Sequence, residues 1–277
     1  MKRTIIQYTT VVLAFLAGMI FMTYMTRMGN RDMTGDMAQA QLPVVYAEQD
    51  GVLYNEMHGY VEDMDGASMR DSVIGVPEDH KVGLALEKYN AQIKSVSYEV
   101  RSLDMSRLIE GGDDLQTEDD GKYLHVSLTL KDLLTQGEEY LLVLKVQTED
   151  QDLVRFYSIL TYLGTNHVQD CVDFAQRFHE MTLTGDSDGV LNYLEQDGSM
   201  DGKNLGYINI HSRSGPVTWG DMQVEQIGDP SLRFTELESD ITALTMEYQV
   251  TNTETSEQYQ VREAYRLRYT STRIYLL

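Results

Sequence analysis

The sequence predicts an N-terminal transmembrane helix, then an all-β sandwich, then an α+β domain of two helices and an antiparallel sheet. Three observations support this fold class: one uncharged apolar run, repeated segments in which apolar and polar residues alternate, and a stretch of helical periodicity between two groups of such segments. The predicted divisions are a cytoplasmic tail and anchor at 1–26, a stalk at 27–42, the sandwich at 43–164 and the α+β domain at 165–277.

The predicted anchor runs from Thr4 to Thr26 without a charged residue. About 20 helical residues cross the hydrocarbon core of a bilayer, so this run is long enough. A cleaved signal peptide would have a shorter apolar region closely followed by small residues, whereas the nearest A-x-A pattern, Ala38-Gln39-Ala40, lies well beyond the run. We therefore predict a retained, single-pass anchor.

Basic residues flank the run on both sides, with Lys2 and Arg3 before it and Arg27 and Arg31 after it. A long acidic region can be translocated regardless of its charge, so the short tail decides the orientation. We expect the N-terminus in the cytoplasm of the cell and the bulk of the chain outside the cytoplasm.

After residue 31 the chain carries all 44 of its acidic residues and 18 of its 22 basic residues, a formal charge of −26. This charge repels phosphate backbones and anionic headgroups, which argues against binding to nucleic acid. It favours a cationic partner or divalent ions, or it serves solubility alone. Cys171 is the single cysteine, so the chain has no internal disulfide and no cysteine for a lipid anchor, and we expect the surface of a bacterium with one membrane.

Alternating segments predict the strands of the sandwich. In the clearest of them, the even-numbered residues from Leu124 to Leu130 share one apolar face. Short polar turns predict antiparallel hairpins; they lie at 48–51, 90–91 and 149–151. The predicted strands are 43–47, 82–89, 93–100, 123–130, 140–146 and 153–163.

The segment from Leu134 to Tyr140, LTQGEEY, precedes the alternating run LLVLKV. It resembles the tyrosine corner of fibronectin type III and immunoglobulin-like sandwiches. The resemblance implies that the hydroxyl of Tyr140 bonds back to the chain before its strand. The segment lacks the proline that often precedes the glycine, and the family's strand-C tryptophan is missing, so another antiparallel sandwich is the alternative.

Helical spacing replaces the alternation after residue 165. Apolar residues from Val168 to Thr182 recur three and four positions apart, which predicts an amphipathic helix with Thr165 or Asn166 as its N-cap. Cys171 lies on the apolar face of this helix and is expected to be an inert core thiol.

A shorter helix, Val190–Leu194, is predicted after a break at Gly185, with Ser187 or Asp188 as its cap. Predicted strands follow at 207–211, 222–227, 241–251 and 259–269. This order of elements resembles the cone-shaped nuclear-transport-factor-like fold. The chain ends at Leu277 inside an apolar run, as either a terminal strand or a truncated chain would end.

Two common motifs are missing, since the sequence has no H-E-x-x-H and no G-x-x-x-x-G-K-[ST] loop. G-x-S-x-G occurs once, at 185–189, but it lies between two predicted helices and not at the strand-to-helix turn of a nucleophile elbow. The six histidines form no tight pair, so we expect no zinc site and no cofactor. An EF-hand starting at Asp197 fails because Ile208 replaces the bidentate glutamate at its twelfth position. Asp186 and Asp188 are left as the place where calcium could bind, with a solvated turn as the competing interpretation.

Two stretches depart from clean strand or helix patterns, one from Asn55 to Asp71 and one around the single tryptophan. Two roles are open for each stretch: packing within the fold, and interaction with a partner. The interaction candidates are His58, Arg70, Asp71, Trp219 and Asp221. The stretches HGYVEDMDGASMRDSVIG and TWGDM, with the C-terminal YRLRYTSTRIYLL, resemble membrane-anchored extracytoplasmic proteins of unknown function from Gram-positive bacteria, a resemblance that implies no activity.

The functional hypothesis is a membrane-tethered, non-enzymatic envelope protein that contacts another envelope protein or a polymer. One alternative is a sensor whose α+β domain holds a small ligand between helices and sheet. A second alternative is a carbohydrate-active hydrolase, which would need two carboxylates about 5 to 9.5 Å apart in a cleft.

Overall fold

In the computed structural model the apolar N-terminal run is one α-helix, α1 (Lys2–Gly29). The structure describes residues 2–29, 42–113, 115–131, 134–149, 153–164, 167–196, 207–220 and 222–277. The window Ile6–Met25 has a mean hydropathy of 1.7, which suits a membrane span or a signal sequence. The hydroxyls of Thr10 and Thr23 donate to carbonyl oxygens four residues earlier, at 2.9 and 2.8 Å, so they need no water in lipid. Most of the predicted stalk, 27–42, lies outside the described residues.

Ten of the described strands form two five-stranded sheets. The first sheet comprises β1 (Val44–Gln49), β2 (Val52–His58), β4 (Lys81–Glu87), β7 (Gln116–Asp119) and β8 (Tyr123–Thr129), in the order β2-β1-β4-β8-β7. The second comprises β3 (Val73–Pro77), β5 (Ile93–Arg101), β6 (Leu108–Gly112), β9 (Glu139–Thr148) and β10 (Leu153–Gly164), in the order β3-β10-β9-β5-β6.

Alternation along the strands places one face of each sheet in a shared hydrophobic core. Val45, Leu84 and Leu128 from the first sheet are fully or almost fully buried, as are Leu144 and Phe156 from the second. These side chains belong to one continuous cluster, so burial of apolar area holds the two sheets together. We call residues 42–164 the two-sheet body.

Two of the three predicted hairpins are confirmed. The turn Asp50-Gly51 joins β1 to β2 with φ angles of 51° and 82°, as a two-residue hairpin loop requires, and β9 pairs antiparallel with β10. The third predicted hairpin, between β4 and β5, is wrong because these strands lie in different sheets. Alternation predicts which side chains of a strand are buried, but it does not predict which strand lies next to it. Antiparallel pairing also fails at β3, which runs parallel to β10 with Val73 beside Ile159.

The segment 59–72 covers the outer face of the second sheet. Its backbone amide at Met64 donates to the hydroxyl of Tyr157 at 3.1 Å. Gly66 lies so close to the sheet that a Cβ there would be 2.3 Å from Cδ2 of Leu141. This cover explains why both faces of the central part of β9 are buried. Much of the irregular stretch before β3 therefore packs against the sheet.

Helices and a third sheet follow the two-sheet body. The helices are α2 (Val168–Thr184), α3 (Ser187–Leu191) and α4 (Ser214–Val217). The sheet comprises β11 (Val224–Leu237), β12 (Ile241–Asn252), β13 (Gln258–Tyr269) and β14 (Ile274–Leu276), in chain order. The apolar face of α2 lies on this sheet, where the hydroxyl of Tyr265 donates to the carbonyl oxygen of Ala175 at 3.5 Å. Cys171 is buried there, and burial raises its pKa to about 11, so the thiol is protonated at neutral pH.

Some predicted boundaries in this region are wrong. His167, not residue 165 or 166, is the N-cap of α2, and the side chain of His167 does not cap the helix. Asp186 caps α3 by accepting from the backbone amide of Gly189 at 2.9 Å, whereas the prediction chose one of the two residues after it. Residues 207–211 are irregular and end in a turn instead of forming a strand, because Asn209 accepts from the backbone amide of His211 through Oδ1 and from that of Ser212 through its carbonyl oxygen. The helix-ending role of Gly185 is confirmed, with φ of 74°.

Asn55 joins the third sheet to the two-sheet body within the compact unit Ala40–Leu277. Its side chain is fully buried; Nδ2 donates to the carbonyl oxygen of Val73 and Oδ1 accepts from the amide of Phe234, both at 2.7 Å. The φ angle of Asn55 is 54°, a left-handed conformation that asparagine tolerates better than most residues. Tyr54 meets the ring of Phe234 edge-on at 5.2 Å.

Candidate functional site

The outer face of the first sheet presents three tyrosines around one carboxylate. Glu87 ends β4 and pairs across the sheet with Tyr123 of β8, while Tyr46 lies on β1 at the other side of β4. The rings of Tyr46 and Tyr123 meet edge to face, with centroids 6.3 Å apart. Tyr89 lies in the loop directly after β4. We call Tyr46, Glu87, Tyr89 and Tyr123, together with Glu56 of β2, the tyrosine–carboxylate surface.

Two of these tyrosines lie beside Glu87. Tyr46 donates its hydroxyl to Oε2 of Glu87 at 3.4 Å, and Tyr89 is close enough for the charge of Glu87 to act on its hydroxyl. Partial burial raises the pKa of Tyr46 far above its ordinary value, and the charges of Glu56 and Glu87 raise it further. Loss of water contact and then Glu87 raise the pKa of Tyr89 as well. Both hydroxyls are therefore neutral donors, and the Glu87 side chain, only 17% exposed, concentrates negative charge among the rings.

One cation of the chain already lies on this surface. Nζ of Lys122 is 2.7 Å from the hydroxyl of Tyr123, 4.5 Å from its ring centroid and 3.6 Å from Oε1 of Glu87. The hydrogen bond to Tyr123 and the charge of Glu87 raise the pKa of Lys122, so its side chain is an ammonium ion. The Lys122 side chain is nevertheless 65% exposed.

Further charged pairs surround the tyrosine–carboxylate surface. Nδ1 of His125 lies 2.7 Å from Oε2 of Glu48 and its Nε2 lies 3.4 Å from Oδ2 of Asp120. These contacts, the one with Glu48 first, raise the pKa of His125. Lys88 contacts Asp119 at 2.6 Å. Carboxylates thus dominate the outer face of the first sheet.

An open groove of about 490 Å³ lies at the end of the two-sheet body, beside the β1–β2 turn. Its lining includes Glu48, Asp50, Glu78 and Asp79, with Lys81 3.9 Å from Asp79. Within the described ranges, no three His, Cys, Asp or Glu side chains are grouped to hold a metal ion. The charge of the groove matches that of the outer sheet face.

A separate buried polar cluster lies between α2 and the third sheet. His179 is 7% exposed; its Nε2 is 2.7 Å from Oε1 of Gln226 and its Nδ1 is 3.5 Å from Oε2 of Glu263. Tyr248 donates to Glu263 at 2.8 Å, and Tyr265 donates to the same carboxylate. Burial lowers the pKa of His179, but the contacts with Glu263 and Gln226 outweigh burial and raise it overall.

Aromatic side chains fill the space around this cluster. Phe174 meets Tyr193 at 5.2 Å between centroids, and Phe178 meets Tyr265 at 5.9 Å. A small ligand between α2 and the sheet would have to displace these rings. The packing therefore gives no support to the sensor alternative.

The interaction candidates from the sequence lie on separate elements. His58 is exposed at the end of β2, and its Nε2 is 3.7 Å from Oε1 of Glu56, which places it beside the tyrosine–carboxylate surface. Arg70 and Asp71 are exposed in the turn before β3, where Nε of Arg70 donates to a backbone carbonyl oxygen. Trp219 is partly buried after α4 with φ of 65°.

Three aspartates complete the candidates from the sequence. Asp221 lies outside the described residues. Of the pair left open for calcium, Asp186 uses its carboxylate to cap α3, and Asp188 is exposed.

The tyrosine–carboxylate surface was not predicted from the sequence. Tyr46, Glu87 and Tyr123 occupy outward positions of three strands that alternate, so each was identifiable as solvent-facing. Their proximity depends on the order β1-β4-β8 and on the register that pairs Glu87 with Tyr123. Alternation indicates which side chains face outward, but it gives neither the order of the strands nor the residues that pair across them.

No protein-family model matches the chain, and no curated protein matches it. Among solved structures it is similar to CopC from Methylosinus trichosporium OB3b, with 15% identity over 39% of this chain and 95% of that one and a TM-score of 0.26. It is also similar to an engineered protein, with 11% identity over 44% of this chain and 21% of that one and a TM-score of 0.26.

Proposed function

We propose that this chain is a single-pass membrane protein of the cell envelope whose extracytoplasmic part is a non-enzymatic module that binds a cationic protein or polymer. The N-terminus is cytoplasmic, and α1 stays in the membrane as an anchor. The two-sheet body is a sandwich of the immunoglobulin or fibronectin III type. The single observation that carries the proposal is the uncharged apolar run from Thr4 to Thr26 within α1.

The exposure of α1 supports the anchor. Phe15, Ile20 and Phe21 are each more than 60% exposed, as are other large apolar side chains of this helix. Leaving such a helix in water is unfavourable, since each exposed large apolar side chain costs about 1.5–3 kcal/mol relative to burial. A lipid bilayer provides the missing apolar surroundings.

Charge supports the cationic partner. The region after residue 31 has a formal charge of −26, and the outer face of the first sheet and the groove beside it are both rich in carboxylates. Complementary charge accelerates encounter and selects partners of the opposite sign. A basic envelope protein or a polymer that carries amines fits this field.

A hydrogen bond supports the type of sandwich. The hydroxyl of Tyr140 accepts from the backbone amide of Thr135 at 2.9 Å, which is the bond that the tyrosine-corner resemblance implies. Tyr140 itself is buried at the start of β9.

In-cell crosslinking tests the proposal. The full chain, expressed in a Gram-positive host, is crosslinked and extracted with mild detergent, alongside a variant with Glu56→Gln and Glu87→Gln. A control variant carries Glu180→Gln and Glu254→Gln, which remove two exposed acids outside the two-sheet body. We expect a basic partner that is captured by the wild type and the control, captured less by the first variant, and released by salt. A chain that is monomeric under every condition would contradict the proposal.

A further inference from the structure

We propose that the tyrosine–carboxylate surface is a binding site for an alkylammonium group, and that Lys122 is an internal ligand that occupies this site until a partner's amine replaces it. The inference rests on the proposed function, because the amine would belong to the cationic partner. It adds the chemical group that is recognised and the residues that recognise it.

The geometry provides the two components that ammonium recognition requires. Tyr46 and Tyr123 present aromatic rings at right angles to each other, and Glu87 lies where their strands meet β4. Aromatic rings attract cations through the negative charge of their faces, and cages of such rings recognise methylated ammonium ions. The carboxylate adds a hydrogen-bond acceptor and a full opposite charge.

The other groups around the site do not disturb this chemistry. Tyr46 and Tyr89 are uncharged, and Tyr46 donates to Glu87 at 3.4 Å, so neither tyrosine repels an approaching cation. Glu56 adds a second carboxylate beside Tyr46, and His58 pairs with Glu56 at 3.7 Å from the exposed side. A cation that approaches the rings therefore meets net negative charge.

The position of Lys122 is a second and independent observation. Its ammonium contacts both components, the ring and hydroxyl of Tyr123 and the carboxylate of Glu87. The chain itself thus shows that an alkylammonium group fits there. The side chain of Lys122 is 65% exposed while that of Glu87 is 17% exposed, so the lysine can leave into water while the acceptor remains. Exposed ion pairs contribute little to stability, so the exchange costs little.

Titration of small amines tests the site directly. The full chain in a maltoside detergent, which lacks an ammonium headgroup, is titrated with tetramethylammonium and with methylammonium, and binding is followed by saturation-transfer NMR. Lys122→Met removes the internal competitor and should tighten binding of both probes about two- to fivefold, as expected for a contact of cation–π strength. Glu87→Gln and Tyr89→Leu should weaken binding by a similar factor; Tyr89 is 51% exposed, so its replacement leaves the core intact. Lys94→Met, at an exposed lysine of β5, is the control for lost charge and should leave binding unchanged.

The two variants should change probe binding in opposite directions, tighter for Lys122→Met and weaker for Glu87→Gln. Residues with a purely structural role would not produce this opposition. Unchanged or weaker binding in Lys122→Met, undiminished binding in both Glu87→Gln and Tyr89→Leu, or no probe binding in any variant would overturn the inference. If the probes fail to bind but the basic partner is still captured in cells, the ammonium site is wrong and the proposed function stands. If the probes bind but no partner is captured, the proposed function fails and the site remains.

Discussion

Replacement of Asn55 by alanine should destabilise the extracytoplasmic part of the chain severely, although the change removes only one amide group. The Asn55 side chain is fully buried and makes two hydrogen bonds of 2.7 Å, to the carbonyl oxygen of Val73 and from the amide of Phe234. Alanine would leave both backbone groups without partners. An unsatisfied buried group costs about 1–3 kcal/mol, so the two together cost about 2–6 kcal/mol.

Backbone strain adds to this loss. The φ angle of Asn55 is 54°, and a residue with a Cβ pays about 1–2 kcal/mol in the left-handed region unless its side chain compensates. The expected total is about 3–8 kcal/mol, a large fraction of the roughly 5–15 kcal/mol that stabilises a domain. Asn55→Gly loses the same hydrogen bonds without the strain, so it should be the less damaging variant by about 1–2 kcal/mol.

Urea denaturation of the full chain in detergent, followed by the fluorescence of Trp219, measures these differences. The control is Asn192→Ala, an exposed asparagine after α3, which should change the free energy of unfolding by less than about 0.5 kcal/mol. A destabilisation below about 1 kcal/mol for Asn55→Ala would refute the claim that this side chain joins the third sheet to the two-sheet body.

Three other changes have defined outcomes. Tyr140→Phe removes the hydroxyl that accepts the backbone amide before β9 and should lower the free energy of unfolding by about 0.5–1.5 kcal/mol, while an unchanged urea midpoint would contradict the role of this bond. Gly66→Ala places a Cβ 2.3 Å from Cδ2 of Leu141 and should cost about 1–3 kcal/mol by the same assay, with no cost if the covering segment is not packed as described. The raised pKa of His179, beside Glu263, means that folding favours the protonated ring, so its contribution is present at low pH and is lost as pH rises through the folded pKa. The difference in Tm between wild type and His179→Gln should therefore be larger at pH 5.5 than at pH 8.5, and an equal difference at both would count against the ion pair.

The alternation of apolar and polar residues identified those strands in which the pattern continues without interruption. It predicted β8, β12 and β13 closely, because one face of each is in the core and the other in water. β2 was missed because Tyr54 and Asn55 are both buried at an irregularity that breaks the alternation. β3 was missed because Val73 to Val76 are all buried, so the segment shows no alternation of apolar and polar residues.

The candidate site was less predictable than the strands for a physical reason. The sequence indicated irregular stretches, and most of the one before β3 serves as cover for the second sheet. His58 was singled out and does lie beside the tyrosine–carboxylate surface. Tyr46, Glu87 and Tyr123 come together only through the order and register of three strands that lie far apart in the sequence.

Membrane fractionation of the native protein tests the central claim most directly. Cells are lysed, the membranes are washed with high salt and with alkaline carbonate, and the N-terminal sequence of the chain is read by mass spectrometry in each fraction. An anchored protein should stay in the washed membranes with residues 6–25 intact. Recovery in the soluble fraction, with or without those residues, would contradict the account.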